Sequence, residues 1–240
     1  AKNHAVVLPD ADLEFAAEAL IGAAYGSAGE RCMAISAVVA VGAAGDPLVR
    51  LLEKKAKAIK LGVDMGPLVT GQHLGKVKSF IDKGVAEGAK LVVDARKQEH
   101  PRQGFYLGTS LFDQVTPEME VYKNEIFGPV LVVLRAKTLD EAIALVNKNP
   151  YANGTAIFTE SGGAARRFAA EIQVGMVGVN VPIPVPVAFF SFGGWKNSLF
   201  GDLHVHGVES IKFYTRTKVV TSRWPHQDTP APGFNMPTLG

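Results

Sequence analysis

Short apolar segments alternate with amphipathic ones along most of this chain. In the amphipathic segments, apolar residues recur every three or four positions, which is the spacing of one face of a helix. One of these segments begins with Thr138 and has Glu141 three positions later, a pair typical of a capped helix start. The helices predicted from this spacing cover residues 10–26, 47–59, 70–88, 138–149 and 164–172.

The apolar segments between these helices lack the strict alternation of apolar and polar residues that is typical of a strand with one solvent-exposed face. They predict strands over residues 5–8, 36–41, 91–93, 129–135, 154–159 and 176–180. Strands that are apolar on both faces and alternate with helices favour an open, mostly parallel sheet with helices on both faces, an α/β fold. In such folds ligands bind at the carboxyl ends of the strands, so we expect the functional site at that edge.

The last quarter of the chain is less regular. The proline-rich residues 182–186 predict an extended loop beside a cleft, with Phe189, Phe190 and Phe192 behind it, although core packing would explain these rings equally well. Residues 210–222 are rich in β-branched and aromatic side chains and predict a long edge strand, a natural partner for another chain. Residues 225–240 predict an extended tail.

Composition narrows the class of protein. The chain has 240 residues, 47% of them hydrophobic and 20% charged, which is enough to bury a large core. Its 25 basic and 23 acidic residues give a net charge of +2 without a block of like charge, so nothing predicts binding to nucleic acid or to an anionic membrane. A single cysteine precludes an internal disulfide and favours a reducing compartment.

That cysteine, Cys32, is the first candidate for a reactive group. It follows Gly26-Ser27-Ala28-Gly29, a run of small residues typical of a tight turn that a ligand can approach closely. The neighbouring Arg31 would favour the thiolate, which is the nucleophilic form. A buried structural cysteine is the alternative.

Three motifs, in this order, resemble the aldehyde dehydrogenase superfamily. Residues 26–33 (GSAGERCM) are similar to its nucleophile loop, residues 124–130 (NEIFGPV) to its EIFGPV motif, and residues 191–198 (SFGGWKNS) to a motif near its C-terminus. The resemblance covers essentially the whole chain. Its details are most similar to the CoA-acylating branch that oxidises methylmalonate semialdehyde.

The resemblance implies a division of the chain. Residues 1–205 would be the catalytic domain of that family, residues 206–224 the C-terminal oligomerisation strand that joins a neighbouring subunit, and residues 225–240 a tail. We expect the dinucleotide-binding domain of that family to be missing from this chain, since no G-x-G-x-x-G sequence is present to cradle a pyrophosphate. We therefore expect the missing N-terminal part and further copies of the chain, as a dimer or tetramer, to be its partners.

The resemblance also assigns NAD contacts to four residues. Glu125 would bind the ribose hydroxyls of the nicotinamide half and Phe127 would pack near the nicotinamide ring, while Lys76, with His73 one turn earlier, would supply another ribose contact. Each has a plain alternative: Glu125 as a solvated acid, Phe127 as core, and the other two as an ordinary exposed helix face. No residues are expected to bind a metal.

For the substrate, the resemblance implies an arginine that pairs with the carboxylate of a semialdehyde, and this position is Arg31. A guanidinium suits a planar carboxylate because it can donate two parallel hydrogen bonds. Phe190 and Phe192 would line the substrate channel.

The expected reaction is attack of Cys32 on the aldehyde, with the backbone N–H of Cys32 donating to the oxyanion, hydride transfer to NAD, and transfer of the acyl group to CoA. The products would be propionyl-CoA or acetyl-CoA from methylmalonate or malonate semialdehyde. A hydrolytic aldehyde dehydrogenase that does not use CoA, or a non-catalytic homologue, is the alternative. The compartment would be the bacterial cytoplasm or the mitochondrial matrix.

Overall fold

The structure is a computed structural model that describes residues 1–101 and 103–224. The strands in this part of the chain are β1 (Asn3–Val7), β2 (Ile35–Val41), β3 (Lys90–Asp94), β4 (Ser110–Asp113), β5 (Val130–Ala136), β6 (Tyr151–Ala152), β7 (Gly154–Phe158), β8 (Met176–Val179) and β9 (Trp195–Lys196). The helices are α1 (Leu13–Tyr25), α2 (Gly45–Ala58), α3 (Gly71–Ala86), α4 (Glu120–Lys123), α5 (Leu139–Lys148), α6 (Gly162–Glu171) and α7 (Glu209–Tyr214).

Seven of these strands form one sheet in the order β3-β4-β5-β2-β1-β7-β8. Every neighbouring pair is parallel except the edge pair of β3 and β4, which is antiparallel. The prediction of a mostly parallel sheet is confirmed. Strand β4 carries no predicted element, and its antiparallel pairing with β3 closes one edge of the sheet.

Helices cover both faces of the sheet, as the sequence predicts. Successive residues of β1 point to opposite sides, so Val7 joins the larger core with α1, α2 and α3 while Val6 joins the smaller core with α5 and α6. Leu20, Leu52 and Phe168 are fully buried in these cores. The strands are therefore apolar on both faces because both faces are covered.

Side-chain caps set the helix starts. Thr70, Thr138 and Ser161 each accept a hydrogen bond from the backbone N–H three residues later, which satisfies a free donor of the first turn. The first helix is capped in the same way by Asp12, so it begins at Leu13 and not at Asp10.

The predicted strand over residues 210–222 is wrong in its first part. Glu209–Tyr214 forms the helix α7, and residues 215–224 make no strand pairing within the described part of the chain. A strand needs a neighbouring strand for its backbone groups, and residues 206–224 pair with none in the described part of the chain, whereas a helix satisfies these groups locally. The predicted role of residues 206–224 in oligomerisation stays a prediction, and the predicted tail at 225–240 lies outside the described residues.

Candidate active site

The candidate residues meet at the amino ends of the parallel strands. Cys32 lies in the loop that leads into β2, and Glu125 and Phe127 lie in the loop that leads into β5. These residues and Arg31 line one cleft beside the start of β1. The expectation of a site at the carboxyl edge is wrong for them, because a loop that enters a parallel strand lies at its amino end.

The loop before Cys32 has an unusual backbone. Ser27, Ala28 and Gly29 all have positive φ, at 51°, 54° and 72°. A side chain on Gly29 would come within 2.2 Å of the carbonyl oxygen of Gly128, so only glycine fits there. The Cys32 loop and the Glu125 loop are thus in backbone contact, and strain of this kind is typical of functional sites.

Cys32 itself has an exposed side chain and a firmly held backbone. Its carbonyl oxygen accepts hydrogen bonds from the Nδ2 atoms of Asn3 at 2.9 Å and Asn153 at 3.1 Å. The backbone N–H of Ala34 donates to the carbonyl of Arg31 at 3.1 Å and closes a turn around the cysteine. A reagent can therefore reach the thiol, while the turn that carries it is fixed.

His73 joins the two loops from α3. Its Nε2 donates to the carbonyl oxygen of Phe127 at 2.6 Å, which places the proton on Nε2 because a carbonyl can only accept. The same nitrogen lies 3.6 Å from Oε1 of Glu30 in the Cys32 loop. His73 therefore supports the Phe127 backbone, and its predicted cofactor contact stays a prediction.

Lys2 stabilises the loop that carries Glu125. Its Nζ donates to the carbonyls of Val121 and Asn124, both at 2.9 Å. Burial lowers the pKa of Lys2 to about 7, against the opposing effect of the Glu125 charge. A buried lysine with two backbone acceptors thus holds the turn that presents Glu125.

His4 supports the same turn. Its Nε2 is hydrogen-bonded to the hydroxyl of Tyr122 at 2.9 Å. Burial, and secondly the charge of Lys2, lower the pKa of His4 to about 3, so the ring is neutral at physiological pH. Lys2, just before β1, and His4, in β1, therefore hold the segment just before Glu125.

Arg31 lines the cleft but has a second contact. Its Nη2 donates to the carbonyls of Gly22 at 2.7 Å and Ala23 at 3.1 Å, in the last turn of α1, where a cation also interacts favourably with the helix dipole. Its Nε is buried and makes no hydrogen bond to any described residue. Arg31 therefore caps the end of α1 and keeps one donor, Nε, without a partner among the described residues. Its predicted binding of a substrate carboxylate stays a prediction.

The other four predicted residues, His73 among them, are not in the lining of this cleft. Lys76 is exposed on α3 and is not among the lining residues. Phe190 and Phe192 line a different cavity of about 250 Å³ with Val185 and His206, and 59% of Phe190 is exposed. Their assigned contacts with cofactor and substrate stay predictions.

Sequence reasoning missed Lys2, Asn3, Glu30 and Asn153. Polar residues beside an apolar strand look like ordinary loop positions, and nothing in the hydrophobic pattern says that a fold will bury them. A buried polar residue must find partners, and here the partners are the loops of the site.

The cleft is narrow, with about 20 Å³ of free volume, enough for little more than a water molecule. A substrate and a cofactor would have to lie over its mouth. In residues 1–101 and 103–224 no cluster of three histidine, cysteine or acidic side chains could hold a metal ion. Across the same residues, every helix is too short or too polar to cross a membrane.

Solved structures with this fold include a protein from Sinorhizobium meliloti described as a candidate methylmalonate-semialdehyde dehydrogenase, in complex with NAD. It is 55% identical, with a TM-score of 0.89 over 94% of this chain and 48% of that one. The methylmalonate-semialdehyde dehydrogenase of Oceanimonas doudoroffii is 53% identical, also with a TM-score of 0.89, and has the same coverage.

Among curated proteins, the malonate-semialdehyde dehydrogenase of Pseudomonas aeruginosa is 57% identical over 100% of this chain and 50% of its own length. The malonate-semialdehyde dehydrogenase of Halalkalibacterium halodurans is 49% identical over 93% of this chain and 47% of its own length. The chain therefore spans about half the length of the curated relatives it matches. The model of the aldehyde dehydrogenase family matches residues 1–220. With its cysteine loop packed against its EIFGPV loop, this chain belongs to the aldehyde dehydrogenase family.

Proposed function

We propose that this chain is the catalytic part of a CoA-acylating dehydrogenase that oxidises methylmalonate or malonate semialdehyde with NAD. One observation carries the proposal. An exposed thiol, Cys32, shares a cleft with Glu125 and Phe127 in a chain 57% identical to a malonate-semialdehyde dehydrogenase. Because the chain spans half of that relative, the reaction belongs to the complete protein.

The described residues fit one end of a dinucleotide. The Glu125 side chain is 43% exposed, and a carboxylate accepts hydrogen bonds from two ribose hydroxyls well. Phe127 is 39% exposed and offers a flat apolar surface to a nicotinamide ring. When bound, NAD supplies the hydride acceptor, and the complete protein would hold its pyrophosphate.

Cys32 does the covalent chemistry. Its thiolate attacks the aldehyde carbon, a C–S bond forms, and the oxyanion lies beside the backbone N–H of Cys32. Loss of hydride from that carbon leaves a thioester on Cys32. The bond between the substrate carboxylate and the carbon next to the thioester then breaks, CO₂ leaves, and that carbon takes up a proton. The thiol of CoA then attacks the thioester, and Cys32 leaves as a thiolate. Semialdehyde, NAD⁺ and CoA give acyl-CoA, CO₂ and NADH.

Arg31 is the proposed anchor for the carboxylate of the semialdehyde. Its Nη2 is engaged with the end of α1, but its buried Nε has no hydrogen-bond partner among the described residues. A substrate carboxylate in the cleft that Arg31 lines would pair with its guanidinium through a charge-assisted hydrogen bond. We also assign Phe190 and Phe192 to the substrate channel, and Lys76 and His73 to the ribose side, on the family resemblance alone.

Transfer to CoA over hydrolysis is proposed on the family resemblance. Glu125, a carboxylate in the lining of the cleft, is proposed to bind ribose. Activation of water needs a general base near the thioester, whereas the thiol of CoA ionises more readily and is a strong nucleophile.

Product analysis of the complete protein tests this proposal. With semialdehyde, NAD and CoA, mass spectrometry is expected to find propionyl-CoA or acetyl-CoA in amounts equal to the NADH formed, and none with Cys32→Ala. Formation of a free acid with CoA left unused would establish the hydrolytic alternative. Absence of NADH from a folded protein with each semialdehyde would favour a non-catalytic homologue.

We further propose that residues 206–224 join a second copy of the chain in a homodimer or homotetramer. Several of their large apolar side chains are exposed, among them Ile211 at 68% and Val219 at 86%. The relatives named above are bacterial, which favours the bacterial cytoplasm over the mitochondrial matrix as the compartment.

A further inference from the structure

Asn3 has the most complete set of side-chain hydrogen bonds next to the nucleophile. Its Nδ2 donates to the carbonyls of Cys32 and Ala34, both at 2.9 Å, and its Oδ1 accepts from the backbone N–H of Gly154 at 3.1 Å. Only 2% of the residue is exposed. The three bonds fix which end of the amide is which, since only Nδ2 can donate to the two carbonyls.

The position of Asn3 explains why these bonds matter. It is the first residue of β1, which lies between β2 and β7, and the register of β1 against β2 shifts immediately after it. The amide therefore takes the place of backbone ladder bonds on both sides of the strand. As a result, the start of β2, with the Cys32 turn just before it, is tied to the start of β7.

Asn153, the residue just before β7, adds a second, smaller contact. Its Nδ2 donates to the carbonyl of Cys32 at 3.1 Å and lies 3.0 Å from the sulfur of Met33. Two neutral amides thus converge on one backbone oxygen. Neither is hydrogen-bonded to the thiol, so both act on the peptide from which the thiol projects.

We infer that Asn3, assisted by Asn153, is a positioning residue that holds the Cys32 turn in the orientation needed for attack. This inference rests on the proposed function. The benefit of such positioning comes from the geometry of the reacting atoms, and a displacement of about 1 Å can cost about a hundredfold in rate.

The residues on either side of Asn3 hold the second loop of the site. Lys2 and His4, on either side of Asn3, hold the turn before Glu125 through Val121, Asn124 and Tyr122. Three consecutive residues therefore fix both the nucleophile loop and the loop proposed to bind ribose. Loss of the Asn3 contacts should release the first loop and leave the second in place.

The test uses the complete protein with Asn3→Asp, which keeps the acceptor for Gly154 and replaces the donor by an oxygen, and with Asn3→Ser as a neutral variant. Asn180→Asp is the control, because Asn180 also donates to a backbone carbonyl and accepts from a backbone N–H, both of Thr159, at the other end of the sheet. Asn153→Ala removes the smaller contact alone.

Two rates are measured. One is alkylation of Cys32 by iodoacetamide, taken at its high-pH plateau so that changes in thiol pKa do not enter. The other is kcat for the semialdehyde, with the Kd of NAD measured alongside. For Asn3→Asp and Asn3→Ser we expect kcat to fall about tenfold to a hundredfold and the plateau rate of alkylation to change, with the Kd of NAD within about twofold of wild type. For Asn153→Ala we expect the changes in kcat and in the plateau rate of alkylation to lie between those of the Asn3 variants and those of the control.

The alkylation rate separates this inference from the proposed function, since it needs neither aldehyde nor cofactor. If the wild-type protein makes no NADH, a changed plateau rate in the folded Asn3 variants still supports positioning of the thiol. Folded Asn3→Ser with wild-type kcat and alkylation would overturn the inference. So would an equal loss of kcat in Asn180→Asp. Should Asn3→Asp fail to fold, Asn3→Ser and Asn153→Ala carry the same comparison.

Discussion

Replacement of Lys2 by methionine should change how the stability of the protein depends on pH. Burial lowers the pKa of Lys2 from 10.5 to about 7, so between these values the folded protein has released a proton that the unfolded chain still binds. The free energy of unfolding of the wild type therefore rises with pH across this window, by at most about 1.4 kcal/mol per pH unit. Below pH 7 the charged lysine is buried at a cost on the order of 5 kcal/mol.

Lys2→Met removes this titration and also leaves the carbonyls of Val121 and Asn124 without their donor, which costs about 1–3 kcal/mol for each group. The second effect does not depend on pH. We therefore expect the free energy of unfolding of the wild type to gain on the order of 2 to 3 kcal/mol over that of the variant between pH 7.5 and pH 9.5.

Urea unfolding of the complete protein at pH 7.5, 8.5 and 9.5 measures the difference. Lys55→Met is the control: a hydrogen bond to Glu18 raises the pKa of Lys55, so its contribution is lost only as pH rises above 10.5 and stays constant over this range. A wild-type advantage over Lys2→Met that is flat or shrinks between pH 7.5 and pH 9.5 would refute the reasoning, because Lys2 would then be charged throughout.

Three further predictions concern the cofactor, the substrate and assembly. Glu125→Gln should raise KM for NAD about tenfold with a smaller change in kcat, because a neutral amide accepts from the ribose hydroxyls more weakly than a carboxylate; equal KM values would remove Glu125 from the cofactor site. Arg31→Leu should lower kcat/KM for the semialdehyde about tenfold to a hundredfold more than for propanal, and a loss equal for both would leave Arg31 only its contact with α1. Val219→Pro should convert the oligomer to a smaller species in sedimentation, since proline removes a strand donor; an unchanged mass would show that residue 219 is not paired.

The sheet was predictable because both of its faces are covered. Covered strands read as continuous apolar runs, and Thr138 marks the start of α5 by its side chain, so the alternation of strands and helices follows directly. Strand β4 was not predicted because Ser110–Asp113 is short and ends in a buried aspartate, Asp113. The partner of this aspartate, Arg135, lies on β5. Local sequence carries no sign of such a long-range ion pair.

The site was predictable only in part. Cys32 was predicted from its place as the single cysteine after a run of small residues, Glu125 was predicted from the family resemblance, and the fold brings them to one cleft. The predicted carboxyl edge was wrong because these loops lead into β2 and β5, whereas the ligand-binding loops of most open sheets follow their strands. Asn3 was missed because a polar residue before an apolar strand gains a role only when the strands beside it are known.

The most direct test of the central claim is to trap the covalent intermediate on Cys32. The complete protein, incubated with semialdehyde and NAD but without CoA, is digested and examined by mass spectrometry. The account predicts an acyl group on the peptide that contains Cys32, its loss when CoA is added, and its absence in Cys32→Ala. An adduct on another residue, with Cys32 unmodified, would contradict it.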